Sequence, residues 1–307
     1  MRADTARAHL RAVDPMALPT FFIIGAAKSG TTSLHWYLDQ HPQIQMSTDK
    51  EPNFFSGPEN GVPYPFGRTS RLEAYEELFD PAVGVRGEAS TGYASHPRRQ
   101  GVPERIKELV PEAKFIYLVR DPIARTISQY QHRVAVEGER RSLREALGDL
   151  SDPYSICICP SLYASQLDLY LRHFPRERLL VIDQAELLAG RQSTLRQIFT
   201  FLSVNDVVDW SRFAEELNTS RDRRIYPPAY ARLHYVRLRG PDLPAPLRWI
   251  PRRVRRPLRR SVERILLSRL DTPTLDDELR ARLEEFYADE VARLRALTGK
   301  TFPTWSI

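Results

Sequence analysis

Residues 21–33 read Phe-Phe-Ile-Ile-Gly-Ala-Ala-Lys-Ser-Gly-Thr-Thr-Ser: an apolar run, a small-residue loop carrying one lysine, and a helix start. That order builds a cradle for phosphate. Gly25 and Gly30 let backbone approach an anion, the N–H groups from Ser29 through Gly30, Thr31, Thr32 and Ser33 point at it with the helix dipole, and Lys28 adds a full charge. The glycine spacing is that of a nucleotide triphosphatase loop, G-x-x-x-x-G-K-[ST], but Thr31 occupies the lysine's position and the cation has moved inside the loop. The competing reading of the loop is a plain strand-to-helix connection.

A second strand-turn-helix unit begins at Lys114-Phe-Ile-Tyr-Leu-Val-Arg-Asp-Pro and continues to His132. Arg120 ends the strand, Asp121 suits an N-cap, Pro122 suits a first helical position, and Ser128 follows two turns along. An arginine at a strand's carboxyl end and a hydroxyl on the next helix can face the crevice where ligands of open α/β sheets bind. Between the two units lies Thr48-Asp-Lys-Glu-Pro-Asn-Phe-Phe. Glu51 precedes Pro52, which pushes its backbone toward an extended conformation, while Phe54 and Phe55 anchor the segment in the core. One carboxylate is thereby held out on a packed support, as a general base requires.

These motifs resemble those of sulfotransferases that use 3′-phosphoadenosine-5′-phosphosulfate (PAPS), with a pattern similar to the heparan-sulfate branch. In that resemblance the displaced-lysine loop is the 5′-phosphosulfate loop. The run R-D-P-x-x-R-x-x-S-x-Y, matched by Arg120, Asp121, Pro122, Arg125, Ser128 and Tyr130, is the 3′-phosphate site. The K-E-x-x-F-F element, matched by Lys50, Glu51, Phe54 and Phe55, carries the general base, Glu51. Tyr130-Gln-His132 matches a tripeptide whose histidine belongs to the active site; an ordinary polar role on a helix is the alternative for His132. Residues 217–227, Leu-Asn-Thr-Ser-Arg-Asp-Arg-Arg-Ile-Tyr-Pro, resemble the K-G-R-x-x-P loop that closes over the nucleotide. Arg224 and Pro227 fall on its arginine and proline, and Arg221 or Arg223 replaces the missing cation.

At residues 87–93, Gly-Glu-Ala-Ser-Thr-Gly-Tyr, heparan-sulfate relatives often read E-K-[ST]-x-x-Y. Ala89 removes a lysine that would face the sulfate acceptor, so an acceptor as anionic as a glycosaminoglycan is disfavoured. Ser90, Tyr93 and Phe54 are assigned to the acceptor side. The resemblance implies transfer of a sulfuryl group from PAPS to a hydroxyl of a small or medium-sized acceptor, such as a secondary metabolite, glycolipid or sugar, leaving adenosine 3′,5′-bisphosphate. Glu51 would take the proton, Lys28 with loop N–H groups would stabilise the leaving 5′-phosphate, and His132 would hold sulfuryl oxygens. No metal is required, since no carboxylate-rich metal motif is present; Asp183, ending Leu-Leu-Val-Ile-Asp, reads as plain sheet architecture. Two readings from other classes stay open: an ATP-dependent P-loop phosphotransferase, which would need Mg²⁺ and a lysine after Gly30, and a non-catalytic anion- or membrane-binding protein.

The elements that must position these residues follow from periodicity. Strands are expected near 20–25, 84–88, 114–119 and 178–183, and helices at 31–39, 72–79, 103–109, 122–136 and 162–174. This alternation with short apolar strands predicts an α/β domain with a central parallel sheet flanked by helices, a P-loop-kinase-like sulfotransferase fold. Past Asp183 a mainly helical C-terminal part is expected, with helices at 194–202, 228–239 and 276–297. Residues 1–19 read as an N-terminal extension and 20–307 as one sulfotransferase domain, interrupted by a proline- and arginine-rich irregular segment at about 240–260.

Of the 307 residues 42% are apolar, enough for a full core. The net charge is +6, and residues 248–260 hold seven arginines and no acid. That cluster could touch a membrane surface, but prolines 251 and 257 break its helical continuity and a solvated face is favoured. No aromatic platform interleaves it, so nucleic acid is not an expected partner. The absence of a long apolar run or signal-like start gives a cytoplasmic expectation, with Cys157 and Cys159 as reduced thiols.

Overall fold

The computed structural model describes residues 17–57, 71–214, 224–225, 268–269, 273 and 275–307. Its centre is a sheet of five parallel strands: β1 (Phe21–Gly25), β2 (Ile44–Met46), β3 (Val85–Ala89), β4 (Lys114–Val119) and β5 (Leu179–Asp183), in the spatial order β2-β3-β1-β4-β5. Alternate residues of β1, β4 and β5 enter opposite cores. Phe21, Ile23, Ile116, Leu118 and Ile182 pack with α1 (Thr31–Asp39) and α8 (Arg191–Leu202) on one face. Phe22, Ile24, Phe115, Tyr117 and Val119 pack on the other, against α3 (Val102–Leu109), α4 (Pro122–His132), α6 (Tyr163–Leu171) and α9 (Asp277–Thr298). Burial on both faces is why these strands read as continuous apolar runs rather than alternating ones.

The strand order locates the site. From β1 the chain crosses through α1 on one face toward β2, whereas from β4 it turns into α4 on the opposite face and proceeds toward β5. The connections leave β1 and β4 in opposite directions, so a crevice opens between the carboxyl ends of these neighbours. The loops holding Lys28 and Arg120 both begin there.

Local chemistry explains the helix limits. Asp121 caps α4 by accepting from Ala124 N–H at 2.7 Å, with Pro122 at its first position. The helix ends at His132 rather than continuing to 136, because residues Arg133–Glu137 form a π turn closed by Gly138 at φ 78°. The segment expected as one helix over 72–79 is helical only over Leu72–Glu76 (α2); Leu78 and Phe79 donate to carbonyls three residues back and drop their side chains into the core. Past β5 the helical part begins sooner than expected, with α7 (Gln184–Ala189), and Gly190 separates it from α8. The short strand β2 was not expected, three residues being too few for a periodicity signal. A four-residue helix, α5 (Leu143–Ala146), carries a Ser142/Glu145 capping box.

In α9, Asp276 caps the start and Gly299, at φ 68°, ends it; Leu279, Leu283, Tyr287, Val291 and Leu294 form its buried stripe. The expected helix at 228–239 and the irregular segment at 240–260 lie outside the described residues, as do residues 1–16 of the N-terminal extension. Among the described residues no helix is long and apolar enough to cross a membrane.

Candidate active site

The loop after β1 is shaped for close approach. Gly25 has φ +154° and a Cβ there would sit 3.0 Å from the Tyr117 ring, while Gly30, the residue before α1, has φ +95°. Lys28 adopts φ 71°, a left-handed conformation uncommon for a residue with a side chain. Ala26 N–H donates to Leu118 C=O at 2.6 Å and Ser29 N–H to Ala26 C=O at 3.1 Å, which curls the loop back over β4. The first turn of α1 holds no acidic residue and its start has no side-chain cap. Ser29 is fully buried and its Oγ makes no hydrogen bond to the described protein atoms. A buried donor of this kind fits an anion's oxygen as partner. Thr31 is buried, Ser33 half-buried and Thr32 exposed.

Arg120 meets this loop directly: its Nη1 donates to the Lys28 carbonyl at 3.4 Å. The guanidinium is largely desolvated, which pulls its pKa below the usual value, and an anion beside it would offset that cost. Its own carbonyl accepts from the Tyr163 hydroxyl at 2.8 Å. Arg125, matched to the same motif, plays another part. It is fully buried, and its guanidinium donates to Ser161 Oγ, to Cys157 C=O and, at 3.4 Å, to Ala27 C=O. Arg125 thus ties the loop after β1 to the chain before α6. Ser128 is buried on α4, two turns from its start, and His132 is the helix's last residue, half-buried.

Glu51 lies at the carboxyl end of β3, the other neighbour of β1. Its N–H donates to Ala89 C=O at 3.1 Å, and its Oε1 accepts from Lys50 Nζ at 3.0 Å and Thr91 Oγ1 at 3.1 Å. The side chain remains 34% exposed, so it is held but reachable. Its backbone is not extended as Pro52 suggested. Glu51 takes φ 59°, because the bond to Ala89 and the Asn53 side-chain amide, which donates to the Glu51 carbonyl at 2.7 Å, bend the segment over the sheet end.

Beneath this segment is a network that motif reading missed. Glu88 is fully buried and accepts from Ser90 Oγ at 2.5 Å and from the Tyr75 hydroxyl; Tyr93 also bonds it. Burial pushes its carboxyl up to about 7 against the pull of those hydroxyls. Ser90 Oγ in turn accepts from Asn53 N–H at 3.1 Å, and the Tyr93 hydroxyl accepts from Phe55 N–H at 3.0 Å. Ser90 and Tyr93, expected to line the acceptor side, are placed as buried struts under the Glu51 segment. Phe54 stacks on Tyr75 at 4.3 Å and Phe55 is buried.

Thr91 and Glu88 stood in the quoted 87–93 run, but only pairing with β1 shows which faces what: Ile23 lies opposite Ala89, and Ser90 N–H donates to Ile23 C=O at 3.2 Å. Ala89 is buried against the α1-side core and offers no cation. His35 on α1 is a further residue near this end, its pKa lowered by burial and then by Lys50.

Arg224 pairs with Arg269 in a two-stranded antiparallel ribbon, β6 (Arg224–Ile225) with β7 (Ser268–Arg269), and β6 packs against the Arg133–Glu137 turn that follows His132. Arg221, Arg223 and the cluster at 248–260 lie outside the described residues. Cys157 and Cys159 are buried free thiols, the latter pushed up to about 12 by burial. Asp183 caps α7 through Ala185 N–H at 3.1 Å and accepts from Trp305 Nε1 at 3.1 Å, an architectural use. Among the described residues no His, Cys, Asp and Glu grouping could hold a metal ion.

The arrangement therefore sets a carboxylate, a lysine loop and an arginine at the ends of three adjacent strands, β3, β1 and β4. The chain is similar to known proteins. It is 29% identical over 216 residues to the bifunctional heparan sulfate N-deacetylase/N-sulfotransferase 2 of Bos taurus, a match covering 64% of this chain and 23% of that protein. It is 28% identical over 202 residues to the heparan sulfate glucosamine 3-O-sulfotransferase 3B1 of Mus musculus, covering 64% of this chain and 49% of that one. The chain thus spans about a quarter to a half of the length of these curated relatives. A crystal structure of a sulfotransferase from Alicyclobacillus acidocaldarius superposes with a TM-score of 0.64 at 27% identity, covering 95% of this chain and all of that one. Residues 18–221 match the family described as "Sulfotransferase domain", and with the sheet, loop and carboxylate in place the chain belongs to the sulfotransferase family.

Proposed function

We propose that the protein transfers a sulfuryl group from PAPS to a hydroxyl of a small or medium-sized acceptor. The observation that carries this reading is the contact of Arg120 Nη1 with the Lys28 carbonyl, which makes the two anion-binding loops walls of one crevice. A nucleotide phosphorylated at both its 5′ and 3′ positions is the ligand such a pair of walls fits. The residues present suit it: the buried Ser29 hydroxyl, the uncapped acid-free start of α1 and the desolvated Arg120 all favour anionic oxygens. Bound there, PAPS supplies the sulfuryl group and an adenosine 3′,5′-bisphosphate leaving group.

The chain's own residues then have distinct tasks. Ser29, Gly30, Thr31, Thr32 and Ser33 would hold the 5′-phosphate through backbone N–H groups and hydroxyls, with Lys28 countering the charge that grows on it. Arg120 and Ser128 would bind the 3′-phosphate, and Arg223 and Arg224 would contact the nucleotide. Glu51, steadied by Thr91 and Lys50, would accept the proton of the attacking hydroxyl, and His132 would hold sulfuryl oxygens. Phe54 would border the acceptor. The neutral, buried Ala89 supports an acceptor less anionic than a glycosaminoglycan.

Calorimetry decides the cofactor. Adenosine 3′,5′-bisphosphate is expected to bind more tightly than adenosine 5′-monophosphate; equal affinities would remove the second anion site and the reading with it. A screen of hydroxyl acceptors with radiolabelled PAPS then identifies the acceptor class.

A further inference from the structure

Residues 302–307, which follow α9, run across the carboxyl edge of the sheet and end beside the arginine loop. Trp305 is buried, stacks on Phe302 with ring centroids 4.2 Å apart, and packs on Tyr163 at 5.8 Å. Tyr163 is the residue whose hydroxyl donates to the Arg120 carbonyl. The indole N–H donates to Asp183 Oδ2 at 3.1 Å, which fixes the segment to the end of β5. The next residue reaches the neighbouring strand end: Ser306 donates to Asp121 Oδ2 twice, from its N–H at 2.6 Å and its hydroxyl at 2.7 Å. The other oxygen of the same carboxylate caps α4 through Ala124 N–H. Behind the segment, Arg295 donates to the Thr301 carbonyl at 3.1 Å and to the Ile307 carbonyl at 2.5 Å.

Asp121 stands between Arg120 and the first turn of α4, so its carboxylate has two duties. It caps the helix that carries Ser128, and it is gripped by a segment nearly two hundred residues away in sequence. A carboxylate with one oxygen capping can swing about its side-chain bonds; with the second oxygen held by two donors its plane is set, and the peptide of Arg120 is set with it. The Tyr163 bond to the Arg120 carbonyl, wedged by Trp305, restrains the same peptide from the other side.

We infer that the Trp305–Ser306 segment is a positioning element for the 3′-phosphate end of the nucleotide site, acting through Asp121 and Tyr163 on Arg120. This rests on the PAPS reading above and deepens it, because the segment's hydrogen bonds to Asp121 and its packing on Tyr163 converge on the peptide of Arg120. Its effect therefore falls first on ligands that carry a 3′-phosphate.

The test compares binding of adenosine 3′,5′-bisphosphate and adenosine 5′-monophosphate by calorimetry in the full chain and two variants. Ser306→Pro removes both donors at an exposed position, and Trp305→Phe removes the indole N–H while keeping an aromatic ring. Ser306→Pro is expected to weaken the bisphosphate about tenfold, the worth of a charge-assisted hydrogen bond, and to leave the monophosphate unchanged. Trp305→Phe is expected to shift in the same direction by less. Unchanged bisphosphate affinity in Ser306→Pro, or parallel weakening of both nucleotides, overturns the inference. Failure of the underlying reading shows separately, as a wild-type protein without preference for the bisphosphate.

Discussion

The two halves of the site are built by different means. The proposed nucleotide half is made of short contiguous stretches, residues 25–33 and 120–128, each a strand end, a turn and a helix start, and the groups it would offer are largely backbone N–H groups and two cations. The proposed acceptor half hangs one carboxylate on a loop whose shape comes from a buried network: Glu88 holds Ser90, and Ser90 and Tyr93 catch the N–H groups of Asn53 and Phe55. A site that recognises phosphate can reuse generic strand-turn-helix geometry. A site that must aim one base at one hydroxyl needs its support specified residue by residue.

The two halves are expected to separate under mutation. Glu51→Gln is expected to lower kcat by about a thousandfold, within the range for general-base removal, while leaving bisphosphate affinity unchanged in calorimetry. Lys28→Ala is expected to cost about a hundredfold in kcat/KM and to weaken the nucleotide as well. A Glu51→Gln protein that also lost nucleotide binding would merge the halves.

The network below Glu51 sharpens the contrast through pH. The Glu88 carboxyl is raised to about 7 in the folded protein from an ordinary value of 4.5. Between those values the native state binds more protons than the unfolded chain, so stability is full below about 4.5 and declines as pH rises to about 7. The shift corresponds to about 3 kcal/mol. Urea denaturation from pH 4 to 8 is expected to show that decline, and Glu88→Gln to flatten it; an equal slope in the variant would assign the loss to other groups. The smallest effect belongs to Thr91→Val, which deletes one hydrogen bond to Glu51 and is expected to lower kcat about fivefold, about 1 kcal/mol, without altering nucleotide affinity.

What could be read ahead of the structure follows the same line. The limits of β1 and β4, helix α1, and the Asp121-Pro122 start of α4 were legible because each is fixed by local chemistry: an apolar run, a glycine at positive φ, a cap. Less was legible around Glu51. Its proline neighbour argued for extended backbone, and the bonds that impose φ 59° come from Ala89 and Asn53. Ser90 and Tyr93 looked like lining residues because a motif shows residue types without showing which side of a strand end they occupy. Arg125 matched a position of the arginine motif without an assigned role, and burial beside Ser161, Cys157 and Ala27 gives it a structural task.

The sequence by itself determined the parallel α/β architecture, the two strand-turn-helix units and the Glu51 segment that comes between them in sequence, since hydrophobic period, glycine placement and helix caps act over a few residues. Only the tertiary structure decided that the turns share one crevice, that Glu88 sits under the Glu51 loop and that Ser306 grips Asp121. Those contacts join residues tens to nearly two hundred positions apart, and long-range pairing depends on strand order and packing, which no local pattern encodes.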